Sequence, residues 1–180
     1  GGAIFDWCSH YLDQVLPLVP RDGLHVTGAN HKRRWHDVTN ADHSRLTIGF
    51  EDGTEATFIH SDLAAALKPK WYVLGTEGAL VGSWREERIV GRTDIGTLAE
   101  DVLAPADSPA LLDLHHPDGS VTRLATPAPP AYAFHRELAD RLLSSIPMTV
   151  TAEQSRQVVA VMEAAETSAA HDGAPVVPRA

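Results

Sequence analysis

Three short turns constrain this chain more than anything else in it: Glu51-Asp52-Gly53, Gly75-Thr76-Glu77-Gly78 and Pro117-Asp118-Gly119. Each lies between two runs that read as strands. These are Arg45 to Phe50 with Thr54 to His60, Trp71 to Leu74 with Ala79 to Trp84, and Ala110 to His115 with Val121 to Leu124. A tight turn can join only antiparallel neighbours, because parallel strands need a crossover of a dozen or more residues. Leu24 to Thr27 reads as one further short strand. Along the second strand of the first hairpin, Ala56, Phe58 and His60 share one face and Thr57 and Ile59 the other. Helical periodicity is confined to the two ends of the chain, with no regular strand–helix alternation, which argues against a doubly wound parallel sheet. The expected class is α+β, a mostly antiparallel open β-sheet with helices packed on one face.

The first helix is expected from about Ala3 to Leu18, ending near Pro20, which cannot continue it. Ile4, Phe5, Cys8, Tyr11, Leu12, Val15, Leu16 and Val19 recur with the rhythm of one buried face. Two more helices are expected at about Tyr132 to Ser144 and Ala152 to Ala170, with Thr151 as an N-cap for the latter. Val158, Val159, Met162, Ala165 and Ala169 would form its buried stripe. The stiff connector Thr126-Pro-Ala-Pro-Pro130 precedes this helical end.

A length of 180 residues suits a single domain spanning 1–180 with a real core. The net charge of −9 argues against sequence-independent nucleic-acid binding and against an anionic membrane surface as partner. No run of eighteen apolar residues is present to span a bilayer. The single cysteine, Cys8, falls on the apolar side of the first helix and reads as a buried structural thiol, which fits a cytoplasmic setting. Ten histidines invite a metal hypothesis, but His31 and His36 are five apart and His115 and His116 adjacent. Neither is the i, i+4 spacing of a helical zinc site, and no metal is expected.

The candidate chemistry lies on the first helix. Asp6 and His10 are four residues apart, hence neighbours on a helical surface, and Asp13 extends the stripe. Histidine titrates near neutral pH and passes protons, and a carboxylate one turn away can orient the ring or bind a substrate hydroxyl. Taken alone, such a pair is equally a solvated surface contact. Lys32-Arg33-Arg34-Trp35 reads either as a solvated loop or as a holder of a phosphate or acidic sugar. Lys70 and Trp71 border the second hairpin, where a surface lysine and a packing indole compete with a substrate-contacting role.

The pattern Gly1-Gly2-x-x-x-Asp6-x-x-x-His10-x-x-Asp13 resembles the motif that opens the C-terminal domain of the Gfo/Idh/MocA oxidoreductases, relatives of glucose-fructose oxidoreductase and inositol dehydrogenase. Arg45 to Gly53 resembles that domain's strand and turn ending in Phe-x-x-Gly, and Trp71 to Leu80 its hairpin around Gly-Thr-x-Gly. Phe134 to Ala139, Val150 to Ser168, Gly173 and Val176 are similar to its last helices and final strand. The resemblance implies a glyceraldehyde-3-phosphate dehydrogenase-like C-terminal domain that binds substrate and forms a homo-oligomer through its sheet. It implies His10 as acid/base on a sugar or polyol hydroxyl, Asp6 as a substrate-binding or ring-orienting partner, and Lys70 and Trp71 as substrate contacts.

The resemblance further implies NAD or NADP, bound through an N-terminal Rossmann domain that also carries a catalytic lysine in a Glu-Lys-Pro segment. No G-x-G-x-x-G between a strand and a helix occurs in these 180 residues, and Lys68-Pro69-Lys70 follows the Asp/His helix instead of preceding it. The chain is therefore expected to be the C-terminal part of a longer enzyme, binding no dinucleotide and inactive by itself. Two other readings stand beside this one. A non-catalytic ligand-binding or scaffold domain would retain the fold alone, and a metal-dependent hydrolase is disfavoured by the histidine spacing.

Overall fold

Around Glu51-Asp52-Gly53 the chain makes the first expected hairpin. In the computed structural model, which describes residues 2–19, 24–93, 96–104, 108–127 and 130–179, Gly53 adopts a φ of 83°. That left-handed conformation costs glycine nothing and a β-carbon dearly. Phe50 and Thr54 close the turn through the Phe50 amide and the Thr54 carbonyl. The strands it joins are β2 (His43–Gly49) and β3 (Glu55–Ser61), and β1 (His25–His31) adds to the other side of β2. All pairings are antiparallel, with Val26 opposite Ile48 and Ile48 opposite Ala56.

The chain divides into two compact units, Gly1–Ala65 together with Tyr132–Ala180, and Ala66–Ala131. In the first, the alternation of the strands decides the layers. Val26, Leu46 and Ile48 are buried, with Ala56 and Phe58 partly so, all on one face. Against that face pack α1 (Trp7–Leu18) and α3 (Ala152–Ala170), which bring Cys8, Leu12, Leu16, Val161 and Ala165 into the same core. The opposite face is polar, with Thr27, Thr47 and Thr57 opposite one another and Thr47 and Thr57 hydroxyls 3.2 Å apart. Burial without an electropositive neighbour pushes the Cys8 thiol up to about 12, so it behaves as a small apolar side chain.

Helix α3 has the bounds expected from its sequence, because its start is chemically specified. The Thr151 hydroxyl accepts from the Gln154 amide and the Gln154 side chain accepts from the Thr151 amide, a reciprocal capping box. Its buried stripe differs from the expectation. Val158, Val161, Met162, Ala164, Ala165 and Ser168 are buried, whereas Val159 is exposed and Ala169 half-buried, because the stripe is centred on Ala165. There the helix rides directly on β1. A β-carbon on Gly28 would lie 2.0 Å from the Ala165 carbonyl oxygen, and the Gly28 amide donates to the Ser168 hydroxyl at 2.9 Å.

The expected final strand is reduced to a single bridge, Val176 exchanging both backbone bonds with Val26. Helix α2 (Ala133–Ser144) has no buried residue. Helix α1 begins four residues later than expected, since residues 3–6 form turns, and Pro17 lies in its last turn. The expected stop at Pro20 lies outside the described residues.

The second unit contains β4 (Trp71–Gly75), β5 (Gly78–Ser83), β8 (Leu111–His115) and β9 (Val121–Leu124) in one antiparallel sheet of that order. Trp71, Val73, Leu80, Leu112, Leu114 and Leu124 fall on one of its faces by register. A hairpin that the sequence did not announce, β6 (Glu86–Thr93) with β7 (Gly96–Leu103), forms a separate two-stranded ribbon. Among the described residues no helix is long and apolar enough to cross a membrane.

Candidate functional site

The late start of α1 places Asp6 at the N-cap position, with φ −90° and ψ −82°, and His10 in the first turn of the helix. A carboxylate at an N-cap ordinarily accepts from the first free amides of the helix. Asp6 does not: its side chain makes no capping bond, and only its backbone carbonyl is engaged, by the Ser9 hydroxyl at 2.7 Å. Both Asp6 and His10 are exposed, and among the described residues no hydrogen bond or ion pair joins them. The Gln14 side-chain Nε2 donates to the His10 backbone carbonyl at 2.6 Å.

The structure adds residues that sequence reasoning did not single out. Trp7, next to Asp6, stacks on His60 at the end of β3 with ring centroids 5.8 Å apart. His60 Nε2 lies 3.4 Å from a carboxylate oxygen of Asp62, an ion pair when the ring is protonated. A second His/Asp pair thus stands beside the start of α1, and Tyr11 packs on Phe58 one turn further along. No local signal marks this cluster, because Trp7 and His60 are far apart in sequence and a His-x-Asp at a strand end is unremarkable.

Lys70 and Trp71 belong to the second unit, Asp6 and His10 to the first. Lys70 is committed locally: its ammonium donates to the Ser108 carbonyl and lies 5.3 Å from the centre of the Trp84 ring. Trp71 is half-buried and packs across the sheet onto Gly82, where a β-carbon would meet it at 2.8 Å.

The basic stretch after β1 is ordered by one buried charge. Asp42 is fully buried, and its carboxylate accepts from the amides of Arg33, Arg34 and Trp35 at 2.5–2.9 Å. Burial pushes the Asp42 carboxyl up, but the amide bonds from Arg34, Trp35 and Arg33 outweigh it and hold the group at about 2. On the outer face of the sheet His31 and His43 are partners in register with rings 6.0 Å apart. Burial first, then the charges of His31, Arg33 and Arg45 against that of Asp42, lower the His43 pKa. No group of three or more metal-ligating side chains occurs among the described residues.

A dinucleotide needs free amides at a helix N-terminus to hold its pyrophosphate. Among the described helices, the start of α3 is closed by its own capping box, whereas α1, which begins at the Asp6 carboxylate, and α2 have no side-chain cap.

The fold is an α+β arrangement of open antiparallel sheets, with α1 and α3 on one face of the first. Residues 1–81 match the GFO/IDH/MocA C-terminal domain, so the resemblance read in the sequence is borne out over that stretch. Solved structures extend the likeness of fold to the rest of the chain. An NAD-binding protein from Listeria innocua is 23% identical with a TM-score of 0.69, covering 99% of this chain and 48% of its own. A structure from Klebsiella pneumoniae reaches a TM-score of 0.75 at 18% identity, with 100% and 50% covered. An oxidoreductase from Bacillus cereus gives 0.67 at 15% identity, with 100% and 51% covered. The chain spans about half the length of these relatives. It matches no curated protein.

Proposed function

We propose that this chain is the substrate-binding half of a nicotinamide-dependent oxidoreductase acting on a secondary hydroxyl of a sugar or polyol, or on the corresponding carbonyl. The observation that carries the reading is the Asp6 carboxylate. It occupies a capping position without capping, four residues before an exposed imidazole that makes no hydrogen bond among the described residues, within the stretch that matches the GFO/IDH/MocA domain. A carboxylate withheld from its helix is available to a hydroxyl of the substrate.

In this reading His10 takes the proton released when the hydroxyl becomes a carbonyl, and returns it in the reverse direction. Asp6 accepts a hydrogen bond from a substrate hydroxyl and so orients it toward the base. No G-x-G-x-x-G turn occurs in these 180 residues, so in this reading NAD or NADP is held by the rest of the longer protein and the isolated chain is inactive. The name of the Listeria relative supports a nicotinamide cofactor. A homo-oligomer formed through the second unit's sheet, by the face bearing Trp71, Val73 and Leu80, completes the proposal. Lys70 holds its own unit together in this reading, through Ser108 and Trp84.

The test is His10→Asn in the protein carrying its N-terminal half. Turnover is expected to fall by roughly two to four powers of ten, the scale of a lost general acid/base, with a much smaller change in KM. Near-wild-type turnover would refute the assignment.

A further inference from the structure

Among the described helices and strands of the first unit, α2 alone adds nothing to the core, which is drawn from α1, α3 and the sheet. Its sequence is nevertheless that of a helix with a face to bury. Phe134, Leu138 and Leu142 recur at every fourth position with Leu143 beside them, on one half of the helix. Arg136, Glu137, Asp140 and Arg141 take the other half. Phe134 keeps 61% of its surface exposed, Leu142 73% and Leu143 86%.

The ties to the following segment are made by the polar half. The Thr149 amide and hydroxyl donate to the Glu137 carboxylate at 3.1 and 2.8 Å, and the Arg141 guanidinium donates to the Ser145 carbonyl at 3.4 Å. On the apolar half the His135 ring stands edge-on to those of Tyr132 and Phe134, centroids 6.2 and 5.7 Å away, which gives that half an aromatic end. The start of the helix is not secured locally. Its N-cap, Tyr132, lies in the left-handed region at φ 56°, costly for a residue with a β-carbon, caps nothing with its side chain, and is followed by no acidic residue in the first turn. Twelve residues without tertiary packing make a marginal helix in water. The stability of α2 must come from a surface outside the described core.

We propose that the apolar half of α2 is the docking surface for the rest of the longer protein, the half that holds the dinucleotide, through an apolar patch on that half. The length of the relatives carries the choice of occupant: structures that share this fold over 99–100% of the chain contain about as much chain again. Interfaces between domains of one chain need only a modest area, because the connection keeps the local concentration high. Helix α2 belongs to the same compact unit as Asp6 and His10, so docking there ties the nicotinamide-bearing half to the unit that carries the candidate acid/base. The inference rests on the longer protein of the proposed function, but on neither Asp6 nor His10.

The test is amide hydrogen exchange, read by mass spectrometry, in the longer protein and in the 180-residue chain. Amides of residues 137–144 should exchange at least tenfold more slowly in the longer protein. There, Leu142→Asp should restore fast exchange across α2 while α3 stays protected, and Arg136→Ala, on the polar half, should change nothing. Should Leu142→Asp also expose α3, Leu142→Ala replaces it, with a smaller rise confined to α2. Exchange is read without turnover, so an active His10→Asn variant would refute the proposed chemistry and leave the docking standing. Fast exchange of α2 in the longer protein would overturn the inference, as would protection that survives both Leu142 variants. Equal protection in the 180-residue chain would place the cover within these residues, and protection there that rises with protein concentration would make it a second copy; either result overturns the inference too.

Discussion

Replacing Gly28 with alanine sets local preference against tertiary packing, and the two predict opposite signs. In the interior of a strand, alanine is favoured over glycine by about 0.5–1 kcal/mol, because glycine loses more conformational freedom on folding. At Gly28 the added β-carbon would stand 2.0 Å from the backbone oxygen of Ala165, where ordinary contact begins at 3.4 Å. Helix α3 or strand β1 must therefore retreat by more than 1 Å, and neither is the free end of a side chain. Overpacking of this kind costs about 1–3 kcal/mol. The same retreat stretches the buried bond from the Gly28 amide to Ser168, worth about 1 kcal/mol more. The net expectation is a loss of roughly 2–3 kcal/mol, or a fall in melting temperature of about 4–12 °C for a chain of this size. Urea and thermal unfolding, followed by circular dichroism, measure it. Gly91→Ala is the matched control, since its β-carbon would meet nothing within 4 Å inside β6, and it should be neutral or slightly stabilising. A Gly28→Ala variant as stable as the unaltered chain would refute the close seating of α3 on β1.

Asp42→Asn tests the loop clamp through pH. The folded Asp42 carboxyl is held at about 2, below its ordinary value of 3.8, so its charge stabilises the fold above pH 4 and that contribution is lost as the pH falls through 2. The variant should unfold more easily than the unaltered chain at pH 7, and the difference should shrink on acidification through that window, with faster hydrogen exchange at Arg33, Arg34 and Trp35. Thr151→Ala should cost about 0.5–2 kcal/mol in urea unfolding, because it opens the capping box of α3. Calorimetric titration of the 180-residue chain with NAD and with NADP should give no heat of binding, since no Gly-rich turn is present, and saturable binding of either would refute that reading.

What sequence alone determined is what depends on near neighbours. The turn at Gly53 needs only a residue tolerant of positive φ between two alternating runs, and Thr151 with Gln154 close their box within four residues. The α+β class followed from such signals, as did the separation of Ala56 and Phe58 from Thr57 and Ile59. The β6–β7 hairpin escaped because its strands carry no apolar alternation: Arg88 pairs with Asp101 and Ile89 with Glu100. Tertiary structure decided the rest, because partners distant along the chain leave no mark in spacing. The start of α1 moved past Asp6, freeing a carboxylate that the i, i+4 pattern had placed on the helix. The buried stripe of α3 is centred on Ala165, because Gly28 lets the helix approach the sheet there. Asp42, an ordinary loop aspartate by sequence, is buried because the chain returns three amides to it, and His60 meets Trp7 only once β3 lies beside α1.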